Sequence, residues 1–239
     1  MEIKIIPCLQ DNYSYLLIDK TNDTACVIDP SEAEPVIEYL ENNKIKLKCI
    51  LNTHHHYDHV GGNQELKKKY NASVIGYSGD KERIPEIDIL INDQENWIYK
   101  NFEAKIIYIP GHTLGHICFY FYKEKSVFTG DTLFSLGCGR IFEGTYSQMF
   151  DSLMKLKELP KNTKIYCGHE YTKKNSEFCL AYDANNENLK AKINDINIKL
   201  KAGLPTIPST IKDELDCNIF LRSSNVESFS KLRDLKDNF

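Results

Sequence analysis

Four histidines and one aspartate fall within six consecutive positions of this chain, His54-His55-His56-Tyr57-Asp58-His59. Imidazole nitrogen and carboxylate oxygen are the donors that Zn²⁺ and similar borderline divalent ions take in catalytic sites. Spacing adds to composition. Along extended backbone, side chains two apart project to the same side, so His54 and His56 can grip one ion while His55 faces elsewhere. Asp58 and His59 are adjacent, and a chain turning into a helix there can aim both at a second ion. Gly61 and Gly62 follow and supply the backbone freedom such a turn needs. The competing reading is a surface histidine tract that picks up metal adventitiously, and the remaining histidines weigh against it. The chain has seven in all. His112, His116 and His169 each sit in a short glycine-flanked turn after an apolar run.

Three later turns offer further donors: Pro110-Gly111-His112-Thr113-Leu114-Gly115-His116, Phe128-Thr129-Gly130-Asp131-Thr132-Leu133 and Tyr166-Cys167-Gly168-His169-Glu170. Each places a candidate ligand at a strand end, where a rigid scaffold can present it.

The elements that must carry these turns are read from hydrophobic periodicity. Short strands at 3–6, 12–18 and 25–28, separated by turn residues, predict an antiparallel sheet. Asp29-Pro30 breaks it. Val36, Ile37 and Leu40 have helical spacing within 32–42, with Ser31 as the N-cap. A strand at 47–51 delivers the histidine run. A helix at 63–69, a strand at 73–77 and an irregular covering loop at 80–91 follow. Residues 96–99 and 102–109 read as a hairpin around Lys100-Asn101. Strands at 117–122 and 126–128, a helix at 148–156 and a last strand at 164–167 lead to Gly168-His169. Beyond Tyr171 only helical spacing remains, at 177–182, 186–200 and 226–236. The expected organisation is therefore a strand-rich α/β domain over 1–172 and a small helical domain over 173–239. Two antiparallel sheets flanked by helices is the natural packing for the first.

Composition narrows the class. The 239 residues suit one large domain or a main domain with an appendage. Thirty basic against 34 acidic residues leave a net charge of −4, which argues against a dedicated nucleic-acid binder. No apolar run approaches the length needed to cross a bilayer. The eight cysteines form no C-x-x-C pair and mostly lie in apolar runs. With no signal peptide ahead of them, they read as reduced thiols of a cytoplasmic protein.

Taken together, T-H-H-H-Y-D-H, P-G-H-T, T-G-D and G-H-E-Y resemble the motifs of the metallo-β-lactamase superfamily. Within it, G-D-T-L-F-S-L-G-C-G-R at 130–140, E-G-T at 143–145, C-G-H-E-Y-T at 167–172 and I-P-S-T at 207–210 resemble glyoxalase II, the hydroxyacylglutathione hydrolases. The likeness runs from Ile3 to the terminal K-D-N-F. It implies an α/β (α+β) fold, the four-layer αββα sandwich of the superfamily, followed by a small C-terminal α-helical domain. It also implies two divalent metal ions, zinc in the first place, with iron or manganese accepted by the same donors. His54, His56 and His112 would hold one ion, and Asp58, His59 and His169 the other. Asp131 would bridge them. His55 would then face solvent or support a ligand, and His116 would make a buried hydrogen bond that orients one.

The implied reaction is hydrolysis of S-(2-hydroxyacyl)glutathione, chiefly S-D-lactoylglutathione, to D-lactate and glutathione, the detoxification of methylglyoxal. Water must be ionised near neutral pH, and a hydroxide shared by two cations supplies that without a serine or cysteine nucleophile. Asp58 would orient the hydroxide. The resemblance assigns the glutathione moiety to Arg140, Phe142, Tyr171, Arg233 and Lys236. Arg140 and Phe142 stand where the common pattern has Lys and Tyr, which changes hydrogen-bond geometry at one and removes a hydroxyl at the other. Two other readings compete: a mono-iron glutathione persulfide dioxygenase, and a non-catalytic metal- or glutathione-binding protein. The complete ligand set and I-P-S-T favour the thioesterase. The expected partner is a small-molecule glutathione thioester, with no nucleic acid and no membrane, and the expected state is a monomer.

Overall fold

Strand β1 (Glu2–Cys8) turns at Leu9, a non-glycine residue with φ of 50°, and pairs antiparallel with β2 (Asn12–Asp19). This is the start of a computed structural model that describes residues 1–239. Two compact units make up the chain, Met1–Tyr108 with Gly115–Glu124, and Ile109–Leu114 with Lys125–Phe239.

In the first unit β3 (Thr24–Ile28) continues the antiparallel pairing on β2. The chain then crosses through α1 (Glu34–Asn42) to β4 (Lys46–Leu51), which runs parallel to β3. Next come α2 (Tyr57–Val60), α3 (Asn63–Tyr70) and β5 (Ser73–Tyr77), which pairs parallel with β4. A further parallel strand, β6 (Ile89–Ile91), closes the order β1-β2-β3-β4-β5-β6. The sheet is thus mixed, where strand spacing alone predicts an antiparallel one. The helices between β3 and β5 return the chain to the same end of the sheet, and a helical crossover yields a parallel neighbour; the loop at 78–88 does the same for β6. Residues 80–91 are also more ordered than expected, since they contain β6.

One face of this sheet is sealed by helices. Leu16, Ile18, Ala25, Val27, Ile50 and Val74 form one continuous core with Val36, Ile37 and Leu40 of α1 and Leu66 of α3. Lys48 is an extra residue between the register pairs Ala25↔Leu47 and Cys26↔Cys49. That bulge re-phases β4 and aims its end, hence the histidine run after it. Ser31 does not cap α1. The helix begins at Glu34 with Ala33 at the N-cap and Pro35 in its first turn, while the Ser31 backbone N–H donates to Ser14 Oγ at 3.1 Å. Proline's fixed φ starts the helix in place of a side-chain cap.

The rest of the first unit is an antiparallel meander of β7 (Asn96–Tyr99), β8 (Phe102–Tyr108) and β9 (Ile117–Phe121), with the predicted hairpin at Lys100-Asn101.

In the second unit β10 (Ser126–Gly130) leads into the short hairpin β11 (Leu133–Phe134) and β12 (Gly137–Cys138). Helix α4 (Tyr146–Lys157) then crosses to β13 (Lys164–Cys167), parallel to β10. Thr145 caps α4 through a reciprocal box with Gln148, so the helix starts two residues before the apolar spacing does. Helices α5 (Thr172–Tyr182) and α6 (Glu187–Lys201) follow. A two-residue strand, β14 (Ser209–Thr210), pairs antiparallel with β13 and leads into α7 (Ile211–Cys217) and α8 (Val226–Asp237). The I-P-S-T motif therefore contributes a strand where only helix is expected. Two residues are too few to show alternation.

Candidate metal centre

The first unit presents its donors directly after β4. His54 is fully buried and His59 nearly so. The His54 ring lies 4.7 Å from that of His56 and 4.2 Å from that of His59, centroid to centroid. Ring nitrogens of His54 and His56 come within 4.8 Å of each other, as do donor atoms of Asp58 and His59. The expected grouping of alternate histidines, and of Asp58 with His59 on a helical turn, is present within this unit.

A carboxylate that the sequence reading passed over orients this cluster. Asp29, at the end of β3, accepts from Thr53 N (2.8 Å, Oδ1), Thr53 Oγ1 (2.6 Å, Oδ2) and His59 Nδ1 (3.0 Å, Oδ2). Because the Thr53 hydroxyl proton goes to Asp29, its oxygen is the acceptor for His54 Nδ1–H at 3.0 Å. Both imidazoles thus carry their proton on Nδ1 and keep the Nε2 lone pair for coordination. The donor atoms of Asp29, His54 and His59 also cluster within 4.8 Å. Asp29's hydrogen bonds make it a support for the histidines. The only sequence signal was an acid at a strand end in V-I-D-P, read there as a breaker.

Asp58 is fixed by Asn12, whose Nδ2 donates to Asp58 Oδ2 (2.9 Å) and to its backbone carbonyl (3.1 Å). Gly61 and Gly62 serve a different purpose from the one spacing suggests. Their backbone angles are ordinary, but a Cβ on Gly61 would lie 2.5 Å from the Ser31 carbonyl oxygen, and one on Gly62 would lie 3.0 Å from that of Pro30. Close approach of two backbones, not unusual φ, demands glycine here.

His55 lies outside the cluster. Its Nδ1 donates to the buried Asp80 at 3.0 Å and its Nε2 accepts from Arg83 at 3.3 Å, so both ring nitrogens are engaged. His116 is fully buried and stacks on His54 at 4.5 Å, an orienting contact made by a ring face.

The second unit supplies three more donors. Asp131 follows β10, and its Oδ2 lies 3.5 Å from His112 Nε2 and 3.2 Å from His169 Nε2. His112 Nδ1 donates to the Arg140 carbonyl at 2.7 Å, which again leaves Nε2 as the lone-pair nitrogen. The loop that carries Arg140 wraps this turn: Phe142 N–H donates to the His112 carbonyl at 3.2 Å and Gly144 N–H to that of Gly111 at 3.1 Å. Gly139 has no alternative, because a Cβ there would lie 1.8 Å from the Asp131 carbonyl oxygen.

The residues assigned to substrate occupy the same unit. Tyr171 stacks on His169 at 4.6 Å and 4°. Phe142 is 61% exposed and meets the edge of His112 at 5.2 Å. Arg140 is exposed, whereas Arg233 is buried and donates to the Cys138 carbonyl at 2.8 Å. Lys236 reaches the Lys174 carbonyl at 3.2 Å, between the rings of Phe178 and Phe239. Burial, with the Arg233 charge beside it, lowers its pKa.

All eight cysteines are buried as free thiols, and burial pushes those of Cys167 and Cys179 up to about 12, so neither of these two offers a thiolate nucleophile. No helix is long and apolar enough to cross a membrane.

Comparison with known proteins identifies the fold and the family. The sequence model of the metallo-beta-lactamase superfamily matches residues 10–89 and 101–169. Among solved structures, the BLEG-1 B3 metallo-beta-lactamase superposes with a TM-score of 0.73 at 22% identity, over 93% of this chain and 100% of that one. ETHE1 from Myxococcus xanthus gives 0.75 at 23%, over 98% and 90%. The fold is that of the metallo-β-lactamases. A second sequence model, for the hydroxyacylglutathione hydrolase C-terminus, matches 170–239. A hydroxyacylglutathione hydrolase of Pelagibacter ubique is 75% identical over the full length of both chains, and one of Rhodospirillum rubrum is 43% identical over 100% of this chain and 99% of its own. The chain belongs to the hydroxyacylglutathione hydrolase family.

Proposed function

We propose that the protein hydrolyses S-(2-hydroxyacyl)glutathione, chiefly S-D-lactoylglutathione, to D-lactate and glutathione, as a thiolester hydrolase that depends on two divalent ions. One observation carries the metal part of the reading. A single oxygen, Asp131 Oδ2, stands within 3.5 Å of the Nε2 atoms of both His112 and His169, as a carboxylate shared by two ligand sets must. On this reading His54, His56 and His112 form one set and Asp58, His59 and His169 the other. Zinc is the ion of choice, and iron and manganese suit the same donors.

The donors fit such ions. Four hydrogen bonds, from His59 to Asp29, from His54 to Thr53, from Thr53 to Asp29 and from His112 to Arg140, fix the tautomer that coordination needs. Bound there, the ions would supply acidity that makes water a nucleophile near neutral pH and positive charge for the developing oxyanion. Asp58, steadied by Asn12, orients the attacking water. The leaving thiolate is stable, so no strong general acid is required.

Arg140, Arg233 and Lys236 provide cations for the carboxylates of the glutathione moiety, with Tyr171 and Phe142 as aromatic walls. Residues 1–172 then form the catalytic domain and 173–239 the substrate-binding domain, a division supported by the two sequence models meeting at 169 and 170. A monomer in the cytoplasm, with no nucleic-acid partner, completes the proposal.

The test is loss of thioester absorbance when S-D-lactoylglutathione is added to metal-replete protein. Hydrolysis should stop after chelation and return with zinc. A fully metal-loaded preparation that leaves the thioester intact refutes the proposal.

A further inference from the structure

Asp237 is the last residue of α8, and one of its oxygens serves two arginines. Oδ1 accepts from Arg233 Nη2 at 2.9 Å and from Arg140 Nε at 3.3 Å. These are two of the cations assigned above to the carboxylates of glutathione. We propose that Asp237 is a built-in anion that holds the cationic subsite in the empty enzyme, and that a carboxylate of the incoming ligand displaces it from Arg140. The proposal rests on the reading that Arg140 and Arg233 bind glutathione carboxylates.

The geometry separates the two arginines. Arg233 is held independently of Asp237. Its side chain is 6% exposed, Nη1 donates to the Cys138 carbonyl at 2.8 Å, and its guanidinium sits 5.3 Å from the Phe220 ring centroid. Arg140 has no such framework: its side chain is 58% exposed, and its contact with Asp237 runs through Nε alone at a long 3.3 Å. A guanidinium prefers a carboxylate that accepts two parallel bonds. Asp237 does not offer that to Arg140 in the structure, because both arginines meet the same oxygen, Oδ1, and Arg140 reaches it through Nε alone. A free carboxylate with both oxygens available can, so the exchange at Arg140 favours the ligand while Arg233 keeps Asp237.

This arrangement has two consequences for recognition. It keeps Arg140 partly neutralised against small anions that offer only charge. It also weakens the hold on the product thiol, which carries the same carboxylates as the substrate.

The experiment measures binding of S-methylglutathione, a thioether that cannot be hydrolysed, to metal-replete protein by calorimetry, alongside KM and kcat for the thioester. Asp237→Asn keeps size and one acceptor oxygen but removes the competing charge. It should bind S-methylglutathione about three- to fivefold tighter, the scale of one partly exposed ion pair. KM should fall in step and kcat should not rise. The gain should vanish when Arg140→Gln is added, and Asp237→Glu, which keeps the charge, should show none. A merely structural Asp237 predicts the opposite sign, because a loosened Arg140 binds more weakly. Unchanged or weaker binding by Asp237→Asn therefore overturns the inference, and Asp237→Ser repeats the test should the asparagine variant fail to fold. Wild type that neither binds the thioether nor cleaves the thioester overturns the functional reading with it, whereas wild type that does both isolates a failure to Asp237.

Discussion

Asp29→Asn removes a charge, and almost no volume, from the support behind His54 and His59. The carboxylate accepts three hydrogen bonds, from Thr53 N, Thr53 Oγ1 and His59 Nδ1, at 2.8, 2.6 and 3.0 Å. An amide has one acceptor oxygen, and neither orientation of it satisfies this set. With oxygen at the Oδ1 position, the NH₂ faces His59, whose proton must move to Nε2, the atom needed for the ion. With oxygen at the Oδ2 position, the NH₂ meets the Thr53 N–H donor to donor. Either conflict strands a buried polar group at a cost of about 1–3 kcal/mol. Expressed as metal affinity, that is roughly 10- to 100-fold, the range found for outer partners of ligating histidines. Zinc affinity measured by competition with a chromophoric chelator should drop by that factor, and imidazole nitrogen NMR should show His59 in the other tautomer or in exchange. Because His59 belongs to one proposed ligand set, one equivalent of zinc should weaken more than the other. A variant that keeps wild-type affinity and the Nδ1–H tautomer refutes the claim that Asp29 governs this site.

Asp131→Ala should lose metal and turnover together, since the shared carboxylate oxygen disappears; elemental analysis that still finds a full metal complement would remove its bridging role. Gly139→Ala should disturb the site from behind, because the new methyl would lie 1.8 Å from the Asp131 carbonyl oxygen, and metal affinity should fall even though no ligand is altered. Glu214 is fully buried, and burial pushes its pKa up to about 7 from 4.5, against the hydrogen bonds it accepts from Asn218 and Leu136 N. A carboxyl with a raised folded-state pKa is best accommodated below its unfolded value, so its share of stability is present below pH 4.5 and is lost as pH climbs through 7. Glu214→Gln should therefore flatten the pH dependence of denaturant midpoints between those values and be more stable than wild type at pH 8 by a few kcal/mol at most, of order 2–3. Equal slopes in the two proteins would contradict the buried-acid assignment. Arg233→Ala should both raise KM and lower stability by about 1–3 kcal/mol, because the Cys138 carbonyl loses its buried donor; a KM change with an unchanged denaturation midpoint would show that the residue acts on ligand alone.

Much of the centre is legible in the chain itself. The alternation of His54 and His56, the adjacency of Asp58 and His59, and the glycine-flanked donors His112, Asp131 and His169 name the candidate ligands, because a metal site needs specific atoms and few residue types carry them. The strands that present them follow from apolar runs of the right length, and the motif combination points to the family. Other features were settled only by folding. Parallel or antiparallel pairing of β3 to β6 depends on how the intervening helices and loop return the chain, which strand composition does not encode. Asp29 is 30 residues from His59 in sequence, and nothing local marks it as the carboxylate behind that ring. The glycines at 61 and 62 looked like hinges, but the structure makes them points of backbone contact with Pro30 and Ser31. Likewise the cations that the resemblance assigns to the ligand read alike in sequence, whereas packing divides them: Arg233 lies buried against Phe220, Lys236 between two rings, and Arg140 remains exposed. Donor identity is a property of residue type and survives in one dimension. Tautomer, burial and the pairing of charges are set by neighbours distant in sequence, so they exist only once the chain has closed around them.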